Sequence, residues 1–337
     1  MAKTFSTPSK IKIRQEWSLP LLKLISETTG KKLVYLGLPS PDADDIHDWI
    51  DYIDKVIAFQ CRKYPKQSDP SQSREALDLL EDKLNTLETQ GKISTFTIYD
   101  GYIEEVLLRG RDISNNDYHQ DEVITLYNLD YCNSLSTPIN YLDLEGIVRE
   151  GYKFQTIQKL MDFQNKIQLN SKKFILFLTI HCDYYEPEMG ALISDGCDNA
   201  LKPIHQQYNS IEDIIEKRAR LLRSYTIQNL KTFFTSNGFI PEFLPTINYN
   251  GKPLPSSQGS YILLHFSVLG TQMQQSAGIA PSYQDTADLI KQNFIYVRDG
   301  NVQDKKIQNL NEEDVQFAPE DYITKSESFV RHWMHHE

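Results

Sequence analysis

Apolar residues in this chain gather in short runs bounded by charge and by Gly or Pro. These runs alternate with stretches whose apolar positions recur every three or four residues. The first kind of pattern is a buried strand and the second an amphipathic helix. Runs at residues 33–38, 55–60, 93–99, 123–127 and 173–180 read as strands. Between them, Ile46, Trp49, Ile50 and Ile53 make one helical stripe, Leu77, Leu80, Leu84 and Leu87 a second, and residues 152–167 a third. Residues 106–121 include a charged, Asn-rich loop. Ahead of the first strand, Ser18 is placed to cap a helix with Pro20 in its first turn, carrying Trp17, Leu21, Leu22, Leu24 and Ile25 and ending at Thr29-Gly30. The longest helix is expected to open at Ser210 and Asp213 and to stop at Asn237-Gly238. Two further strands follow, at 242–248 and 260–269, joined by a loop with Asn250-Gly251, Pro253 and Pro255 that is too short and broken for a helical crossover. The sum is an α/β fold: a doubly wound, mostly parallel seven-stranded sheet whose last strand is antiparallel.

Composition narrows the class. With 40% hydrophobic and 24% charged residues the chain is an ordinary globular protein, and no run is long enough to span a bilayer as a helix. Lys+Arg of 35 against Asp+Glu of 46 gives a net charge of −11, which opposes non-specific binding to nucleic acid or anionic lipid. Cys61, Cys132, Cys182 and Cys197 lie far apart without a CxxC pair, as suits reduced thiols and a cytoplasmic location, and the polar first residues carry no apolar stretch of the secretory kind. From residue 271 onward Gln, Asp and Asn dominate. The expected organisation is a helical leader over 1–30, an α/β domain over 31–270 and an acidic extension over 271–337.

In a doubly wound sheet, ligands bind at the carboxyl ends of the strands, near the point where strand order reverses. The first exit runs from Tyr35-Leu36-Gly37-Leu38-Pro39 on to Asp45, where Gly37 allows close backbone approach and the next helix N-terminus can donate N–H groups. Gln60 ends the second strand, Asp100 beside Gly101 ends the third, and Asn128-Leu129-Asp130-Tyr131 follows the fourth. Asp100 serves either as a ligand or as a turn residue. Asp130 and Tyr131 serve either in chemistry or as a turn cap and a packing residue.

The order of these elements, with a helix before the first strand, five parallel strands and a closing hairpin, resembles the class I S-adenosylmethionine-dependent methyltransferases over roughly residues 10–270. The resemblance implies S-adenosylmethionine as cofactor. Residues 35–39 would hold its methionine part, Gln60 its ribose, Asp100 its adenine, and Asn128 would orient the groups at the methyl. Asp130 would accept a proton or hydrogen bond from the acceptor, and Tyr131 would stack on it; such fourth-strand motifs occur in enzymes that methylate amino groups. The chain departs from the family in having one glycine instead of GxGxG after the first strand, Gln60 instead of a carboxylate, and no proline in the fourth-strand motif. The implied function is methyl transfer to an acceptor such as an amine, the alternative being an inactive scaffold that binds a protein partner.

Other constellations carry less. GxSxG and GxxxxGK[ST] are absent, which sets aside hydrolase and P-loop chemistry. His181 and His265 fall on the fifth and last strands, where they read as hydrogen-bonded structural histidines, and no metal is expected. Lys217, Arg218, Arg220 and Arg223 are read as a solvated face of the long helix, with Arg62, Lys63 and Lys66 as neighbours only if that face binds phosphate.

Overall fold

The computed structural model describes residues 6–60, 70–131, 135, 137–169, 172–182, 199–251, 261–273, 284–305, 307 and 310. Cys61, Cys132, Cys197, Arg62, Lys63, Lys66, Pro253 and Pro255 therefore lie outside the described residues. Five strands run parallel: β1 (Leu33–Gly37), β2 (Ile53–Gln60), β3 (Thr95–Asp100), β4 (Leu126–Asp130) and, later in the chain, β7 (Lys173–His181). They stand in the order β3-β2-β1-β4-β7. The strand order reverses between β1 and β4.

Beyond β7 comes β10 (Ile262–Gln272), antiparallel to it, with β8 (Phe239–Phe243) and β9 (Ile247–Asn250) on the far side of β10. The hairpin-like pairing expected from the sequence is present, but its first strand is divided. The sheet then continues through β11 (Ile295–Arg298), parallel to β9, and β12 (Asn301–Gln303). Among the described residues it holds ten strands where seven were expected: one more from the division of the sixth, and two from residues after 271. Separately, β5 (Ile139–Leu142) and β6 (Val148–Gly151) form a two-stranded ribbon. The sequence pattern missed it because its residues have no buried face to enforce alternation.

Helices cover both faces of the sheet. The chain enters through α1 (Pro8–Lys12), capped by the Thr7 hydroxyl, passes through a π-helical turn at Ile13–Ser18, and continues as α2 (Leu19–Thr29). Ser18 is thus helical and makes no cap, contrary to the sequence reading; the helix begins ten residues earlier, at Pro8. Then come α3 (Asp44–Asp48), α4 (Pro70–Thr89), α5 (Ile103–Arg109), α6 (Lys153–Lys166), α7 (Lys202–Gln207), α8 (Ile214–Ser236) and α9 (Thr286–Lys291). The α5 helix replaces part of the loop expected within 106–121, burying Ile103, Val106 and Leu107 and stopping at Gly110 in the left-handed region. Asp213 alone caps α8, accepting from the backbone N–H of Ile215 and Glu216.

Two apolar layers result. Leu36, Tyr127, Leu129, Leu176 and Leu178 face one helix layer with α5, α6 and α8; Leu33, Tyr35, Leu126, Ile175 and Phe177 face the other with Trp17, Leu21, Leu22 and Trp49. The basic residues of α8 are not a solvated face: Arg220 and Arg223 are fully buried. Arg220 donates from Nε to Glu216 Oε1 at 2.9 Å, and the Arg223 guanidinium donates to the Gln292 and Ile290 carbonyls. They dock residues 290–305 against α8, so this part of the 271–337 segment packs against the core.

Candidate functional site

All five parallel strands end at one edge, and their register places the exit residues side by side. Gly37 lies opposite Ala58 on β2 and Asn128 on β4; two residues further, Gln60 lies opposite Asp100, Asp130 opposite Thr179, and Thr179 opposite His265. Because side chains alternate along a strand, Tyr35, Gly37, Asn128 and Asp130 share one face, and Leu36 and Tyr131 take the other. The expected catalytic pair is thereby split. Asp130 points toward the N-terminal helical layer, while Tyr131 lies in the other core layer with the Lys153 ammonium 5.5 Å from its ring centre. Burial, with Glu104 adding, pushes the Tyr131 phenol well above its ordinary range. Strand β4 also ends later than the pattern suggested, so Asn128 and Asp130 belong to the strand itself.

At the centre of the edge is a cluster the sequence did not announce. Tyr35 donates from its hydroxyl to Asp45 Oδ2 at 2.6 Å, and Asn128 Nδ2 donates to the same oxygen at 2.6 Å. Asp45 sits in the first turn of α3, turned toward the sheet by a bend at Ser40–Ala43 in which Ala43 is left-handed (φ 53°). That conformation is uncommon for alanine and persists because the fully buried residue is held by its surroundings. Burial raises the Asp45 carboxyl above its ordinary range, against the lowering effect of its two donors and of Arg14. Burial likewise keeps the Tyr35 phenol protonated, so it remains a donor.

Gly37 is required here for space. A Cβ on it would lie 2.5 Å from the Asn128 carbonyl oxygen and 2.6 Å from the Tyr35 hydroxyl. Next along the edge, Lys10 from α1 reaches Asp130, Nζ to Oδ2 2.5 Å. Asp45 Oδ1 and Asp130 Oδ1 are both buried and have no hydrogen-bond partner among the described residues.

The outer part of the edge is organised by Asp112. Its carboxylate accepts from the Asp100 backbone N–H at 3.2 Å and from Asn116, folding the Asn-rich loop onto the end of β3, and Ser114 donates to Asp100 Oδ2. Gln60 and Asp100 are buried neighbours there. Of the ten residues singled out in the sequence, Tyr35, Gly37, Asn128 and Asp130 come together, Gln60 and Asp100 form an adjoining pair, Leu38 donates its N–H to the Asn128 carbonyl, and Leu36, Tyr131 and buried Pro39 contribute packing. Sequence reasoning included Asp45 only as the last residue of the first exit, with no role assigned, and missed Lys10. The only signal for Asp45 was its position eight residues after Gly37; nothing local pointed to Lys10.

His265 closes the row on β10. Its Nδ1 is 3.0 Å from the Thr179 hydroxyl and its Nε2 3.3 Å from the Ser267 hydroxyl. Burial lowers it to about 4 from an ordinary 6.5, Asp130 opposing and Lys10 reinforcing the shift. Its folded pKa is depressed, so the unfolded chain takes up this proton first as pH falls. The stability it contributes is present above about pH 6.5 and is lost between there and about 4. At about 1.4 kcal/mol per pKa unit the loss is on the order of 3 kcal/mol. The urea midpoint should therefore drop steeply over this window in wild type and less steeply in His265→Gln; equal slopes would remove His265 from the account. No group of three or more His, Cys, Asp or Glu side chains suited to a metal occurs among the described residues.

The strand order decides the fold: five parallel strands whose order reverses between β1 and β4, then an antiparallel strand whose hairpin partners lie outside it. The fold is class I methyltransferase-like. Solved structures that overlap this chain include the precorrin-6y C5,15-methyltransferase of Geobacter metallireducens, at 9% identity, a TM-score of 0.34 and coverage of 81% of this chain and 93% of that one. The YcgJ protein of Bacillus subtilis overlaps at 10% identity and a TM-score of 0.36, covering 75% and 98%. An O-methyltransferase from Bacillus cereus, solved in complex with SAH, overlaps at 10% identity and a TM-score of 0.31, covering 74% and 80%. No family model and no curated protein matches the sequence. Among the described residues, no helix is long and apolar enough to cross a membrane.

Proposed function

We propose that this methyltransferase-like chain binds S-adenosylmethionine along the carboxyl edge of β1 to β4 and transfers its methyl group to an amino group of an acceptor. The observation that carries the reading is the pair of buried carboxylate oxygens, Asp45 Oδ1 and Asp130 Oδ1, which have no hydrogen-bond partner among the described residues. A buried carboxylate left unsatisfied costs on the order of 1–3 kcal/mol or more, and a cation offsets that cost. The ammonium of the cofactor can donate to the free Asp45 oxygen and an acceptor amine to the free Asp130 oxygen, so this end of the cleft fits the two together. A scaffold without ligand has no use for such a pair, and the scaffold alternative is not favoured.

In this reading Asp45 holds the ammonium end, while Gln60 and Asp100 take the ribose and adenine end. Tyr35 and Asn128 fix Asp45 in place. When bound, the cofactor supplies an already activated methyl group. The chain's own task is to align an acceptor amine at the end of β4 and to accept its proton, for which Asp130 is placed.

S-adenosylhomocysteine at about a hundredfold its dissociation constant should stabilise the protein by about 2.7 kcal/mol. Asp45→Asn should weaken that response and Gln60→Glu strengthen it. Asp130→Ala should keep it and lower turnover by roughly 10²-fold or more. No thermal response in wild type or in Gln60→Glu would sink the proposal.

A further inference from the structure

The N-terminal helical segment is built onto the cleft. Its start is pinned at three places: the Ser6 hydroxyl donates to Asp44 Oδ2 at 2.5 Å, the Ser9 hydroxyl to Asn250 Oδ1 at 2.8 Å, and Arg14 Nε to Asp48 Oδ2 at 2.8 Å. Trp49 Nε1 donates to the Arg14 carbonyl, and the Gly300 N–H donates to Ser9. Residues 6–14 thus bridge from α3, beside Asp45, to the β9 and β11 end of the sheet. The turn that follows is π-helical, a rare form that interrupts regular helix and recurs at functional sites. The outcome of this docking is one contact: Lys10 Nζ rests on Asp130 Oδ2.

Lys12, two residues on, is occupied differently. It pairs with Glu16 one turn further along the same helical segment. The sequence has two lysines in similar surroundings, and the fold selects one of them for the carboxylate at the end of β4.

We infer that Lys10 is itself a methyl acceptor, so that the protein methylates its own N-terminal helix at Lys10 Nζ. The inference rests on the cofactor reading above and adds the acceptor. A primary amine is already at the residue assigned to receive the acceptor's proton, and the contacts of Ser6, Ser9 and Arg14 supply the positioning that a separate substrate would have to gain by binding. The proton on Lys10 Nζ passes to Asp130 across their hydrogen bond and from there to water. The nitrogen lone pair forms a bond to the methyl carbon of the sulfonium donor while the carbon–sulfur bond breaks. Its electron pair stays on sulfur, which leaves as the neutral thioether S-adenosylhomocysteine. Each transfer adds one methyl to Lys10 in exchange for one proton. The methylated amine retains its basicity and can again pair with Asp130, so the helix stays docked.

The test is incubation of the full chain with S-adenosylmethionine labelled with deuterium in its methyl group, followed by peptide mass spectrometry. Label should accumulate on Lys10 and not on Lys12, and Lys10→Arg should lose it. A second readout does not depend on turnover: reductive alkylation with labelled formaldehyde should modify Lys10 several-fold less when S-adenosylhomocysteine is present, with Lys12 unaffected. A thermal response to S-adenosylhomocysteine with no label on Lys10, or with equal label on Lys10 and Lys12, overturns the self-methylation while leaving the cofactor reading standing. Absence of any thermal response overturns both.

Discussion

Glu216→Ala should destabilise the protein by about 3–5 kcal/mol, the usual effect of removing one partner from a buried ion pair. Glu216 and Arg220 are 2% and 1% exposed, and the carboxylate has three partners: Arg220 Nε at 2.9 Å, the Tyr296 hydroxyl at 2.6 Å and Lys305 Nζ at 3.2 Å. Without it, the Arg220 guanidinium loses its Glu216 carboxylate in the core beside Arg223, and Tyr296 loses its acceptor. The effect should reach beyond α8. Tyr296 belongs to β11, whose end leads to Asp299; Asp299 accepts from Asn250, and Asn250 in turn holds Ser9 of the N-terminal helix. Limited proteolysis should therefore cut residues 290–305 faster in Glu216→Ala, and the Lys10 contact should loosen with it. A loss below about 1 kcal/mol in chemical denaturation would mean that the network is solvated in solution and that apolar packing alone docks the extension.

Gly37→Ala should cost about 1–3 kcal/mol, the range for overpacking a tight site, and should remove the thermal response to S-adenosylhomocysteine. The new methyl would lie 2.5 Å from the carbonyl oxygen of Asn128, and that carbonyl cannot turn away because it accepts the Leu38 N–H at 3.0 Å. The alternative is for β1 and β4 to separate, which displaces Asn128 and the Tyr35 hydroxyl from Asp45. Gly30→Ala is the control. Gly30 has a left-handed backbone (φ +62°) but nothing within 4 Å of an added Cβ, so its cost of about 1 kcal/mol is conformational and should leave the cleft's response intact. If both variants keep the response, the space over Gly37 is not part of the site.

Much of the architecture was legible because burial imposes a period. The strands β1, β2 and β7 are apolar runs covered on both faces, and Leu77, Leu80, Leu84 and Leu87 show the helical repeat of a one-sided helix. The antiparallel closing pair was legible from a connection too short for a crossover. The exits Tyr35, Gly37, Asn128 and Asp130 could be found because parallel strands bring their carboxyl ends to one edge whatever lies between them. Where no face is buried, as in the β5–β6 ribbon, the pattern carried no signal.

What the sequence could not determine was how side chains from distant segments are used. Alternation assigns Asp130 and Tyr131 to opposite faces once the strand is known to include Asp130, but the hydrophobic pattern ended that strand too early to say so. Arg220 and Arg223 look solvated in sequence because charge usually is; they are buried because the Glu216 carboxylate, the Tyr296 hydroxyl and the carbonyls of residues 290 and 292 satisfy them, and those partners lie up to 76 residues away. Lys10 is 120 residues from Asp130 and Asp45 is 83 from Asn128. The local pattern along the chain determined the elements and the edge where they converge. Only the packing of the N-terminal helix and α3 against that edge decided which charges meet there, because a hydrogen bond or an ion pair depends on distance in space and leaves no period in the sequence.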